Sequence, residues 1–139
     1  MNSVIYASKG GNTKKLADAV ARAIGTEATP LGQLEMLPAT DILFVGASIY
    51  AGKIDGKLRA FLAGLESSQV KSVAVFGTAA TNQSALPEIR SILRSNGIPV
   101  LDEAFHCRGS FLLAHRGRPN DEDLKEAAAF AKRICGAQA

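Results

Sequence analysis

The chain of 139 residues has no tryptophan, two cysteines, two histidines and only 6% aromatic residues. Two cysteines, Cys107 and Cys135, are too few to staple a domain of this size and fit a reducing compartment. So few aromatics, with no recognisable nucleic-acid module, speak against base stacking and hence against a nucleic-acid partner. No apolar run approaches the ~18–20 residues needed to cross a bilayer. The first six residues carry no charged region, apolar stretch and cleavage site of the kind that directs secretion. Charge of one sign is also lacking, with 16 basic and 13 acidic residues giving a formal +3. That is mildly basic and excludes a polyelectrolyte arm. A soluble, cytoplasmic, monomeric protein is expected, with residues 1–139 forming one domain and no membrane partner.

What the chain does have is apolar material, 47% of residues, and a hydrophobic period that switches repeatedly. Val4-Ile5-Tyr6 is a short strand. Leu16, Val20 and Ile24 then recur at helical spacing up to Gly25. Ile42-Leu43-Phe44-Val45 and Val73-Ala74-Val75-Phe76 are continuous apolar runs, suited to a sheet covered on both faces. Leu58, Phe61, Leu62 and Leu65 mark a second helix, with Asp55 placed to cap it. Ile89, Ile92 and Leu93 mark a third, stopped by Asn96-Gly97. Pro99-Val100-Leu101 is expected to begin the last strand. The last helix is expected from Asp121-Glu122-Asp123 to Lys132-Arg133, with charges that complement its dipole. Between the first helix and Ile42 only residues 27–31 could form a strand, and Pro30 restricts it to an edge. Alternating strands and helices predict an α/β fold, a three-layer α/β/α sandwich around a five-stranded parallel sheet.

In such sheets ligands sit beyond the carboxyl ends of the strands. The informative residues are therefore those that follow each strand. Ser8-Lys9-Gly10-Gly11-Asn12-Thr13 follows the first and opens a helix. Its glycines let the backbone curl, its hydroxyls and amide can donate, and the helix N-terminus adds free N–H groups. Those are the parts of a phosphate cradle, and equally of an ordinary turn capped by Asn12 or Thr13. The loop lacks the Gly-Lys-Ser/Thr ending of a nucleotide triphosphate loop. Gly46-Ala47-Ser48-Ile49-Tyr50-Ala51-Gly52 follows the next apolar strand and offers a tyrosine face. Gly77-Thr78-Ala79-Ala80-Thr81 has only small residues, which let a ligand edge approach the backbone. A phosphoacceptor receiver needs carboxylates after the first and third strands, where Ala7-Ser8 and Ala47-Ser48 stand. Acyl transfer lacks its Gly-x-Ser-x-Gly.

Ser8-x-Gly10-Gly11-Asn12-Thr13 resembles the phosphate loop of the short-chain flavodoxins, usually Thr/Ser-x-Thr/Ser-Gly-x-Thr. Gly46 to Tyr50 is similar to the loop after their third strand, and the likeness spans residues 4–134. The resemblance implies strand order 2-1-3-4-5 and FMN as cofactor. It implies that Ser8, Lys9, Gly10, Gly11, Asn12 and Thr13 surround the phosphate. Ala47, Ser48, Ile49, Tyr50 and Gly52 would line one side of the isoalloxazine, with Tyr50 stacking and Gly52 in the peptide that can flip on reduction. Gly77, Thr78 and Ala79 would approach the other edge through backbone groups. It further implies a one-electron carrier between redox partner proteins. The alternatives are a small FMN-dependent reductase or oxidase acting on a quinone, porphyrinogen-like or nicotinamide substrate, and an interaction domain without FMN.

The chain departs from the family at Gly10, which replaces a hydroxyl residue, and in residues 78–84, which hold no second aromatic. Its rim is also basic, with Lys9, Lys14, Lys15, Lys53 and Lys57 against Asp55, which suits a redox partner with an acidic docking surface. Arg108, His115, Arg116 and Arg118 add a basic stretch, read as a solvated loop or a second docking element, and Phe105 and Phe111 as apolar anchors. His106 and Cys107 are adjacent on a strand and point to opposite faces, so no metal site is expected. Cys107 reads as a small hydrophobe, or as a thiol made reactive by Arg108.

Overall fold

A computed structural model describes residues 1–8, 11–49, 52–79, 84–109 and 117–138. The elements run β1 (Asn2–Tyr6), α1 (Asn12–Ala23), β2 (Ala28–Pro30), a 3-10 turn (Leu31–Gln33), β3 (Thr40–Ile49), α2 (Gly56–Ala63), β4 (Val70–Ala79), α3 (Leu86–Arg94), β5 (Phe105–Arg108) and α4 (Asp121–Gln138). The five strands form one parallel sheet in the order β2-β1-β3-β4-β5. The strand at 27–31 forms, trimmed to three residues, and Pro30 sits at the sheet edge as its missing N–H requires.

Side chains alternate across the sheet and divide the core in two. Ile5, Leu43, Val45, Val73 and Val75 face Leu58 and Leu62 of α2 and Ile89 and Leu93 of α3. Val4, Ile42, Phe44, Ala74 and Phe76 face Leu16 and Val20 of α1 and Phe130 and Ile134 of α4. Phe130 meets Phe44 edge-on, with ring centroids 6.2 Å apart. The layers are thus α2/α3, sheet and α1/α4.

Three boundaries differ from the sequence reading. The first helix is capped by Gly11, which has φ +84° and no side-chain cap bond, so Asn12 and Thr13 lie inside the helix. The last strand does not start at Pro99. Val100 makes an isolated bridge to Val73, and regular pairing resumes only at Phe105 opposite Phe76. The chain takes two more residues than β4 over that span, and the excess bulges outward as Asp102 and Glu103. Each acid is tied to a different layer, Asp102 to Arg90 of α3 at 2.9 Å and Glu103 to Arg133 of α4 at 2.8 Å. Finally, α4 continues past Lys132-Arg133 to Gln138, so its last turn carries no base. No proline follows Arg133, so nothing in the backbone stops the helix there.

The start of α4 is fixed by a reciprocal cap. Asp123 N–H donates to Asn120 Oδ1 at 2.9 Å, and Asn120 N–H donates to Asp123 Oδ2 at 2.8 Å. Arg118 closes on the same carboxylate, Nη2 to Oδ1 at 2.7 Å. Burial of Asp123 opposes its ionisation, but the Arg118 guanidinium and the Asn120 N–H outweigh it and hold the carboxyl below its ordinary 3.8. The stabilisation is therefore present above that value and lost as pH falls through the lower folded one. Asp123→Asn is expected to cost about 2 kcal/mol at pH 7, and to remove this acid-side loss, in urea denaturation followed from pH 7 to 2.

Candidate functional site

The candidate site lies at the carboxyl edge of the sheet, where β1, β3 and β4 end against the N-terminus of α1. Pairing sets Ser48 opposite Thr78 on neighbouring strands, and both side chains fall on the α1 face. Thr13, in the first turn of α1, meets them from above. Its Oγ1 lies 2.5 Å from Ser48 Oγ and 3.1 Å from Thr78 Oγ1, and Ser48 and Thr78 are 3.4 Å apart. All three are buried. Each hydroxyl can donate once and accept twice, so the trio can satisfy itself with its three protons, and rotating one of them outward frees a donor while the other two hydroxyls keep their bond.

Around this cluster the backbone is drawn tight. Ser8 Oγ accepts the Gly11 N–H at 3.0 Å, which ties the chain after β1 to the cap of α1. A Cβ on Gly77 would stand 2.0 Å from the Ala47 carbonyl oxygen, so β3 and β4 approach here as only glycine allows. Gly109, just after β5, is also close to its neighbours, though less tightly: a Cβ would lie 2.9 Å from Asn12 Nδ2 and 3.1 Å from Thr78 Cβ. Its N–H donates to the Ala79 carbonyl at 3.3 Å. Asn12 therefore turns toward β4 and Gly109 instead of capping its own helix. Gly109 was not singled out from the sequence, because only the fold brings the end of β5 to the first helix.

The N-terminus of α1 differs electrostatically from the others. Asp55 caps α2 by accepting from Lys57 N–H and Leu58 N–H at 2.8 and 3.2 Å. Glu88 sits in the first turn of α3, and Asp121, Glu122 and Asp123 in that of α4. The first turn of α1 holds no carboxylate and its cap no side-chain bond. Its positive end is thus left unneutralised by protein acids.

The expected ring-side residues separate into two groups. Ser48 and Thr78 point their hydroxyls at Thr13, so Thr78 contributes a side chain as well as the backbone expected of it. Ala47, Ile49 and Ala79 turn their side chains into the α2/α3-side core. Gly52 has φ +78°, the left-handed region that glycine alone occupies cheaply. Beyond it, Ile54 N–H donates to Glu88 Oε1 at 3.0 Å, and Arg59 Nε binds Glu88 Oε2 at 3.1 Å. Glu88, unremarked in the sequence, thereby pins the far end of the β3–α2 connection to α3. Lys9, Gly10, Tyr50 and the loop residues Phe111, His115 and Arg116 lie outside the described residues.

Of the expected basic rim, Lys14 and Lys15 are turned elsewhere and Lys57 stays beside the loops. Lys14 pairs with Asp18 at 2.8 Å, as residues four apart on a helix do. Lys15 belongs to a groove between α1 and α4. Lys57 lines an open cleft of about 190 Å³ with Ser8, Ser48 and Leu31, on the β2 side of the loops. Arg118 is engaged with Asp123 rather than free in a solvated stretch. Arg108 does not activate Cys107: burial first, and then the Asp123 charge, push that thiol up to about 12, so it stays protonated. His106 faces α3, while Cys107 faces α4.

A flavodoxin domain model matches residues 3–112 of the chain. The chain belongs to the flavodoxin family. The fold agrees over its whole length with a flavodoxin from the domain Archaea, with TM-score 0.79, 21% identity, and 99% of this chain and 98% of that one covered. Oxidised flavodoxin 2 from Bacillus cereus superposes with TM-score 0.75 at 19% identity, covering 98% of each chain. In sequence, an uncharacterised protein of Methanocaldococcus jannaschii is 27% identical over 135 residues, covering 88% of this chain and 89% of that one. The strand order implied by the resemblance is the one observed. Among the described residues no helix is long and apolar enough to cross a membrane.

Proposed function

We propose that this flavodoxin domain binds FMN at the carboxyl edge of the sheet and carries single electrons between redox partner proteins. The observation that carries the reading is the end of α1, bare of carboxylates and set above three buried hydroxyls. A dianionic phosphate supplies the charge that this helix end lacks. FMN, when bound, supplies the one-electron chemistry. The chain's own residues hold and orient it. Ser8, Gly11 and Asn12, with Lys9 and Gly10, surround the phosphate, and Thr13 turns its hydroxyl toward it while Ser48 and Thr78 keep their own bond. The connections after Ile49 and Ala79, with Tyr50 in the first, form the walls on either side of the ring. Gly52 and the clamp at Glu88 fix where the first wall ends. Among the described residues the two carboxylates beside the β3–α2 connection are both engaged, Asp55 as a helix cap and Glu88 with the Ile54 N–H and Arg59.

The test is an absorbance and fluorescence titration of the apo protein with FMN and with riboflavin. A one-to-one complex with FMN, clearly tighter than with riboflavin, is expected. Thr13→Val should weaken FMN by about 2 kcal/mol, roughly thirty-fold, and leave riboflavin unchanged, with Thr13→Ser recovering most of the loss. Absence of binding at tens of micromolar FMN, or equal affinity for the two flavins, overturns the proposal.

A further inference from the structure

The outer faces of α1 and α4 form an open groove of about 530 Å³ that the flavin reading does not use. Four cations line it: Lys15 and Arg22 along α1, Lys125 and Lys132 along α4. All four are exposed. None takes part in an ion pair among the described residues, and the one acid in the lining, Asp18, is held by Lys14. The lining thus carries a charge of +3, equal to the formal net charge of the whole chain.

The spacing is regular. On each helix the two cations are seven residues apart, two turns or about 10 Å by the helical rise. Both helices follow strands of one parallel sheet and share one face of it, so they run in the same direction and their cations form two matching rows. Between the rows the floor is half-buried Ala19, Ala23, Leu124 and Ala128. Small side chains there let another backbone come close.

We propose that this groove docks an acidic amphipathic helix of a partner protein, with a narrow apolar seam on the floor and carboxylates seven residues apart on both flanks. The arrangement is that of a third helix laid along a pair, with flanking charges choosing the partner. A flat anionic membrane fits a concave groove poorly. A nucleic acid would find no aromatic side chain in the lining on which to stack its bases. The groove leads away from the loop end along both helices, so the proposal stands independently of what binds there.

The experiment uses the whole chain and a fluorescein-labelled 21-residue helical peptide with a Leu/Ala seam flanked by glutamates at seven-residue spacing. Fluorescence anisotropy is read at low and high salt. Binding should weaken as salt rises. It should weaken at least about tenfold in Lys15→Glu/Arg22→Glu, and equally in Lys125→Glu/Lys132→Glu, each confirmed folded by its thermal melt. Lys71→Glu/Arg94→Glu, the same charge change away from the groove, should bind as the unmodified protein does. The proposal is overturned if the control variant loses as much as the groove variants. It is also overturned if a proline-broken peptide of the same composition binds equally, or if phosphatidylglycerol vesicles bind more tightly with the same dependence on the four cations.

Discussion

Replacing Gly77 by alanine is expected to destabilise the protein by about 3 kcal/mol and to abolish tight binding at the carboxyl edge of the sheet. The added methyl would lie 2.0 Å from the Ala47 carbonyl oxygen and 3.0 Å from its carbon. The obstacle is backbone on the neighbouring strand, which cannot turn aside as a side chain can. Relief requires β4 to move away from β3 where Gly77 pairs with Ala47. That movement loosens ladder hydrogen bonds and draws Thr78 away from Ser48, so the hydroxyl cluster opens together with the strand pair. Costs of this size are usual for overpacking a rigid site. Urea denaturation of Gly77→Ala measures the first effect and flavin titration the second. Gly32→Ala is the matched control, because nothing lies within 4 Å of its added carbon and the change should be within about 0.5 kcal/mol. A Gly77→Ala protein as stable as the control would show that the strands are not locked at this point.

Acidification from pH 6.5 to about 4 is expected to remove on the order of 3 kcal/mol of stability through His106 alone. Ala85 N–H donates to His106 Nε2 at 3.0 Å, which places the lone pair on that nitrogen and the proton on Nδ1, 3.4 Å from Ser84 Oγ. Burial of the ring disfavours its charged form and lowers its pKa from 6.5 to about 4. In the unfolded chain the imidazole takes up a proton below 6.5, whereas the folded protein refuses it until about 4. Stability is therefore complete above 6.5 and falls as pH drops through that window. The mechanism is local as well, since a protonated Nε2 can no longer accept the Ala85 N–H at the start of α3. Urea midpoints at pH 4.5 and 7.5 measure the loss. His106→Gln, which offers a neutral acceptor, should flatten the dependence between those values. Retention of the full slope in His106→Gln would assign it elsewhere. Asp123 does not confuse the result, because its contribution is lost only below its ordinary 3.8.

Much of the architecture was legible because each strand and helix carries its own period. Ile42 to Val45 and Val73 to Val75 read as covered strands since both of their faces are buried. Asp55 read as a cap because a carboxylate before a helix has one evident use. Reading failed where local signals were overruled by packing. Pro99-Val100-Leu101 has the composition of a strand, but only Val100 makes a bridge, and the Asp102–Glu103 bulge postpones regular pairing to Phe105. Asn12 is a strong capping residue by type, yet Gly11 takes the cap and Asn12 packs over Gly109. Lys14 and Lys15 looked alike on a basic rim, but the helix turns one toward Asp18 and the other into the α1–α4 groove.

By itself the sequence determined the parallel α/β class and the loop that leads into the first helix, because periodicity and glycine chemistry are local properties of the chain. The tertiary structure alone decided that Thr13, Ser48 and Thr78 meet. They lie 30 to 65 residues apart, and their contact depends on the register of β3 against β4 and on which face each strand turns toward α1. It also decided that Lys15, Arg22, Lys125 and Lys132 line one groove, because neither helix by itself records that the other lies beside it.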